Sequence, residues 1–405
     1  MRGTYITKKA PGYGEFVTLM AVIISITALA IDMMLPALPD IGTDLGLGHP
    51  NDAQLVISSL LFGFGMGQVI FGPLSDCFGR RPIIFIGFLI FILGCLMSFV
   101  SNRFEIMLAG RFIQGIGAAG PRTAIVALIR DRFGGRAMAR IMSVIMAIFI
   151  FVPAIAPALG QVVLIVAGWR TIFMVLMIQG GIALTWFALR QPETLLPKDR
   201  LEFSLTRISK GLVEVATNRV SLGYTLASGF ISGALIGYLN SAQQVFQEVH
   251  GLGREFPVYM AFLALSVGGA SFVNSRIVMR LGMRRLSWWA IGLFITLMSL
   301  YLSVTLVYGG HSPLWWMMGC LSLSFFCMGI LFGNQNSIAM EPLAHIAGVG
   351  AAVIGCLSSL ICSLLGMVVG RCYDGSTIPM AWGFVILGIL TAAAMYWADH
   401  SEASV

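Results

Sequence analysis

Charge is what this sequence has least of. Asp, Glu, Lys and Arg together make up 11% of its 405 residues, against about 25% in a soluble domain. With 58% of the residues hydrophobic, no globule of this size could hide its apolar surface from water, whereas a bilayer would solvate it. Catalytic chemistry is equally thin. The histidines at 49, 250, 311, 345 and 400 fall in expected loops or helix ends. There is no HExxH pair and no phosphate-binding loop, and no appended polar domain to act as a nucleotide engine. The seven cysteines form no CxxC pair, so they read as small packing residues with no metal or disulfide role. An enzyme, a metal site, a cofactor and a nucleic-acid partner are all disfavoured on these grounds.

What the chain does have is long apolar runs. A membrane-spanning helix needs about 20 such residues. Twelve runs qualify, near 16–35, 53–72, 82–101, 104–129, 138–166, 169–190, 220–245, 256–277, 286–308, 313–340, 345–369 and 378–398. The first carries an acid and lacks a small-residue cleavage site, so it is expected to be a span and not a cleaved signal. The chain is rich in glycine (47 residues), which lets membrane helices approach closely. With the amino end placed in the cytoplasm, 19 of the 25 Lys and Arg fall on that side and four on the other, the bias that sets orientation. Both termini are then cytoplasmic. The one long polar stretch divides the chain into an N-terminal six-helix bundle (1–190), a cytoplasmic linker (191–219) and a C-terminal six-helix bundle (220–405). The expected fold is all-α, with twelve transmembrane helices in two pseudo-symmetric bundles. A faint repeat supports the division: DCFGRRP (76–82) and MRLGMRRL (279–286) each set a glycine before a basic cluster, about half a chain apart, and internal repeats mark secondary transporters.

Residues 72–82 read GPLSDCFGRRP. Gly72 is expected to end the second helix, with Asp76 just beyond it. Gly79 allows a tight turn, and Arg80 and Arg81 cap the inner face. Asp131, at the inner end of the fourth helix, is the expected partner of Arg80. Such a cluster could latch two bundles and release them as they rock. This segment resembles the loop signature of the major facilitator superfamily. LAIDMMLPALPDI (29–41), RFIQG (111–115) and NQNSIAMEPLAHIAGVGAA (334–352) narrow the resemblance to its bicyclomycin-resistance (Bcr/CflA) branch of drug:proton antiporters. The resemblance implies two bundles around a central cavity, alternating access, export driven by inward proton flow, and the bacterial inner membrane.

Asp32, within LAIDMML, is the acid expected to carry the proton. An ionisable group at membrane depth is costly and functional by default, and burial favours the neutral carboxyl. The same side chain could attract a cationic solute, so that proton and drug compete. Arg111 and Arg122 lie eleven residues apart, which returns almost to one helix face about 16 Å along. Arg111 matches the family arginine for which a role in proton transfer is implied, Gln114 is one turn on, and with Arg122 and Asp32 they are the expected proton-coupling residues. VPAIAPALGQ (152–161) resembles the antiporter signature; Pro153, Pro157 and Gly160 remain of it, while Ala156 and Gln161 replace two glycines. Tyr238, Asn240, Gln243, Gln244, Asn334 and Asn336 are candidate cavity residues, with Met146, Phe149 and Phe246 as soft apolar contacts. The expected partners are a small-molecule substrate, protons and membrane lipid, and the expected state is a monomer. The reading is proton-coupled efflux of lipophilic or cationic drug-like compounds. The alternative is a transporter of a metabolite such as a sugar, dipeptide or amino acid.

Overall fold

The computed structural model describes residues 11–133, 135–202 and 204–400. Fourteen α-helices account for most of them. The first seven are α1 (Tyr13–Asp32), α2 (Leu38–Asp44), α3 (Leu55–Phe78), α4 (Arg80–Phe99), α5 (Phe104–Arg132), α6 (Gly135–Ala167) and α7 (Trp169–Arg190). After the linker helix α8 (Leu205–Thr217) come α9 (Arg219–Gln243), α10 (Phe256–Leu281), α11 (Met283–Val307), α12 (Leu314–Met340), α13 (Ala347–Arg371) and α14 (Ile378–Asp399). Among the described residues, eleven helical segments are long and apolar enough to cross a membrane. The 33-residue α6, apolar over Phe151–Ala167, is the twelfth. Each of the twelve runs in the sequence corresponds to one of these helices.

The outside of the bundle is apolar. On α4, Ile86, Leu89 and Leu93 are exposed at helical spacing, while Phe88, Phe91 and Cys95 on the opposite face are buried. In water this arrangement would leave apolar area uncovered; in hydrocarbon it costs nothing. Helix association then rests on close packing. A Cβ on Gly115 of α5 would lie 2.9 Å from the Leu60 carbonyl carbon of α3, so the two backbones touch because neither interposes a side chain.

Two features at the linker end differ from the expectation. Helix α3 does not end at Gly72 but runs through Pro73 to Phe78, so Asp76 sits inside its last turn. The terminator is Gly79, whose φ of 105° suits glycine. Gly282, at the corresponding point of the second half, has φ 79° and likewise separates two helices. At the other end, α1 breaks after Asp32. Met33 and Met34 form a turn, a short 3-10 segment Leu35–Ala37 follows, and α2 begins. Pro36 and Pro39 sit in the first turns of these two segments, where a missing N–H is tolerated.

Candidate functional site

The break in α1 builds the first cluster. The Met34 N–H turns to Ile31 O at 3.3 Å, which leaves the Ala30 carbonyl open. Arg111 of α5 fills it, donating from Nη2 at 2.9 Å. The same guanidinium donates from Nε to Val56 O of α3 (2.9 Å) and from Nη1 to Gln114 Oε1 (2.6 Å), and lies 5.8 Å from the Phe173 ring centre on α7. Gln114 in turn donates to Cys95 Sγ of α4 at 3.0 Å. Arg111 is fully buried, and its acceptors are neutral. It therefore ties four helices together around a cation that has no counter-ion among the described residues.

Asp32 stands two residues beyond Ala30, and 5% of it is exposed. It makes no hydrogen bond and no ion pair among the described residues, although the buried Tyr238 of α9 lies within electrostatic reach. Helix α6 closes against this turn. A Cβ on Gly160 would collide with the Met33 carbonyl, whose carbon would be 2.8 Å away. Pro153 and Pro157 lie inside α6, which continues through both. Arg122, on the same face of α5 as Arg111, is half-buried, with its guanidinium 4.9 Å from the Phe149 ring centre.

The second cluster is at the linker end. Arg80 is 3% exposed, so it is not the surface cap expected from sequence. Two carboxylates draw it inward: it donates from Nη1 to Asp76 Oδ1 at 2.5 Å and from Nε to Asp131 Oδ2 at 2.8 Å, with Ser75 Oγ at 3.0 Å. Arg81 instead reaches the Ala188 carbonyl (2.9 Å). Sequence reasoning missed Glu193. Its carboxylate accepts the N–H of Arg80 (3.0 Å) and of Arg81 (2.9 Å), the open donors at the start of α4, and those of Thr194 and Leu195 in the linker. A Cβ on Gly79 would fall 2.6 Å from this carboxylate, so the motif glycine also makes room for the linker acid. Across the halves, a Cβ on Gly72 would meet Ala352 Cβ at 2.9 Å, and one on Gly348 would meet Asp76 Oδ2 at 3.3 Å.

A third group, also unforeseen in its partners, runs from the opposite end to mid-span. Asn51 donates to Tyr373 O (2.9 Å) and Arg371 O (3.2 Å). Gln244 donates to Asn51 Oδ1 (2.8 Å), and Gln54 to Gln244 Oε1 (2.6 Å). Asn240 reaches Ser58 Oγ (3.3 Å), Ser363 reaches Ser58 O (2.9 Å), and Gln68 reaches Ser359 Oγ (3.0 Å). Each bond joins the α3 region to α9 or to the α13 region. The period was available in the sequence, since Asn51, Gln54 and Ser58 recur at helical spacing; their partners were not. Beside them Gln54, Asn240, Gln243 and Gln244 line a cavity of about 220 Å³.

The remaining cavity candidates are distributed. Tyr238 and Phe246 are buried in an aromatic group with Phe325, Phe256 and Tyr259, and Tyr238 Oη lies 2.6 Å from Met260 Sδ. Gln243 donates to Gln247 Oε1 (3.0 Å). Asn334 exchanges hydrogen bonds with Asn274 of α10, whereas Asn336 is exposed. The side chain of Met146 lies outside the described residues. No group of metal-ligating side chains occurs among the described residues.

Helices that bury charges against each other and present apolar faces outward define a polytopic membrane transporter. The family model of the Major Facilitator Superfamily matches residues 20–367, and the chain belongs to that superfamily. It is 26% identical over 386 residues to a bicyclomycin resistance protein homolog of Haemophilus influenzae, covering 94% of this chain and 95% of the relative. It is 28% identical over 390 residues to the multidrug resistance protein MdtL of Salmonella agona, with 92% and 94% covered. The xylose transporter XylE of E. coli, in a partially occluded inward-open conformation, superposes with a TM-score of 0.73 at 13% identity, covering 95% of this chain and 97% of that one; at this identity the likeness speaks for the fold alone. The chain is thus a multi-pass transporter and not an enzyme.

Proposed function

We propose that the protein exports small lipophilic or cationic drug-like compounds from the bacterial cytoplasm in exchange for protons, by alternating access. The observation that carries this reading is Asp32: a buried carboxyl without a hydrogen-bond or ion-pair partner among the described residues, at the break of a membrane helix, two residues beyond the carbonyl held by a buried arginine whose donors are already taken. Such an acid is costly when charged and unpaired. A proton relieves the cost, and so does a cationic solute, so the two exclude each other. Proton loading then alternates with solute binding.

The halves 1–190 and 220–405 move as two bodies joined by the linker 191–219, with both termini cytoplasmic. The cluster of Asp76, Arg80, Arg81, Asp131 and Glu193, with Gly72 and Gly79, forms the latch on the cytoplasmic side. The ladder from Asn51 to Ser363 closes the other side. Gly160, with Pro153 and Pro157, holds α6 against the α1 turn so that movement of α6 reaches Asp32. Asn336 and Phe149 line the solute path.

The test uses inside-out vesicles carrying a preformed proton gradient. Adding ethidium should release protons through the native chain and should fail to do so with Asp32→Asn. A variant that couples normally would move the proton site elsewhere. Release by a sugar or dipeptide but not by ethidium would replace drug export with metabolite transport.

A further inference from the structure

Between the two ends of the bundle, the described membrane helices carry three charged side chains: Asp32, Arg111 and Arg122. The two arginines share a face of α5 but differ in how they are satisfied. Arg111 is fully buried, and all three of its donor nitrogens have acceptors. Arg122 is half-buried, and among the described residues its guanidinium has neither a hydrogen-bond acceptor nor a carboxylate. Its contact is the face of Phe149 on α6, 4.9 Å from the ring centre. An arginine at membrane depth is costly, and paired or solvated arginines are the rule there. It presents a planar fork of donors that matches a carboxylate or sulfonate in two parallel bonds. The charge balance points the same way: with Asp32 protonated, two cations remain in the bundle interior and no anion does.

We propose that Arg122, backed by Phe149, is the docking point for an anionic group on the cargo, a carboxylate or sulfonate attached to a lipophilic, aromatic body. The cargo range then includes lipophilic acids and zwitterions beside the cations drawn by Asp32. This deepens the transporter reading above and rests on it. Arg122 lies about 16 Å along α5 from Arg111, so the anion site is separate from the proton site.

The test is a matched pair of fluorescent probes with one skeleton: anilinonaphthalene sulfonate, which is anionic, and N-phenylnaphthylamine, which is uncharged. Saturable binding above that of empty discs is measured on purified protein in nanodiscs of phosphatidylcholine, which keeps anionic lipid from occupying the arginine. Losing a charge-assisted fork should weaken the sulfonate about tenfold or more in Arg122→Gln and leave the neutral probe within about twofold. Arg122→Lys, which keeps charge without the fork, should fall between. If Arg122→Gln is not recovered from the membrane, the lysine variant decides: a selective loss for the sulfonate supports the site. Equal loss of both probes, no change in either, or no saturable sulfonate binding to the native protein would overturn it. No proton gradient enters this assay, so failed coupling in the vesicle experiment leaves its result standing, and the converse holds.

Discussion

Arg80 shows how a charged side chain can be read from sequence and still be misplaced. Its pairing with Asp131 was legible, because an arginine after a turn glycine and an acid at a neighbouring helix end leave few other matches. Its depth was not. Chelation by Asp76 and Asp131 lets the guanidinium lie at 3% exposure, since a buried cation is tolerable when its donors are filled by anions. Removing one partner leaves a buried charge half-paired. Asp131→Asn should therefore destabilise the protein by about 2 kcal/mol and lower its melting temperature in detergent, with Arg80→Met in the same background restoring part of the loss. Glu193 was out of reach for a simple reason. It lies 113 residues from Arg80, and what it caps is backbone, which carries no sequence signal. Asp32 and Arg111 were legible because polar residues inside apolar runs stand out; that the arginine's acceptors are two backbone carbonyls and an amide was not.

At the scale of elements, the number and positions of the membrane helices followed from hydropathy, and each of the twelve runs is one helix. Their ends did not follow. Gly72 reads as a terminator, yet α3 continues six residues further and stops where φ turns positive. The break in α1 was likewise hidden, since Met33 and Met34 are as apolar as the helix before them. Close approach is the second thing hydropathy does not show. Gly160 fits within an apolar helix as any small residue would, but its Cα faces the Met33 carbonyl at the α1 turn. Gly160→Leu should push α6 off that turn, an overpacking cost of about 1–3 kcal/mol. Drug efflux should fall at least about tenfold at equal membrane abundance, measured by cell growth in ethidium alongside immunoblotting, while Gly181→Leu, a position with open space around it, should leave efflux unchanged.

For the whole molecule, the six-plus-six reading came from one polar stretch and a seven-residue echo, whereas the contacts between the halves came from neither. They depend on which face of α3 meets α13, a matter of tertiary packing. If the halves separate during each cycle, tethering them should stop it. A Gln68→Cys/Ser359→Cys pair, in a chain whose exposed Cys372 is replaced by serine, should lose transport on treatment with a short, reducible bis-thiosulfonate and regain it with dithiothreitol. Transport that continues through the tether would mean the α3–α13 contact does not open. The two ends of this contact also differ in kind. At the linker end the guanidinium and its carboxylates all belong to residues 76–131, and what meets across the halves is Gly72 against Ala352 and Gly348 beside Asp76. The other is held by neutral amides and hydroxyls, with one solvent-exposed ion pair among the described residues, Asp52–Arg371 at 3.3 Å, of the sort that contributes little. Dissolved salt screens the buried Arg80 cluster little and neutral amides hardly at all, so neither end answers to ionic strength. Parting the linker end asks small-residue faces to slide off each other, whereas parting the other end means handing a row of amides and hydroxyls back to water.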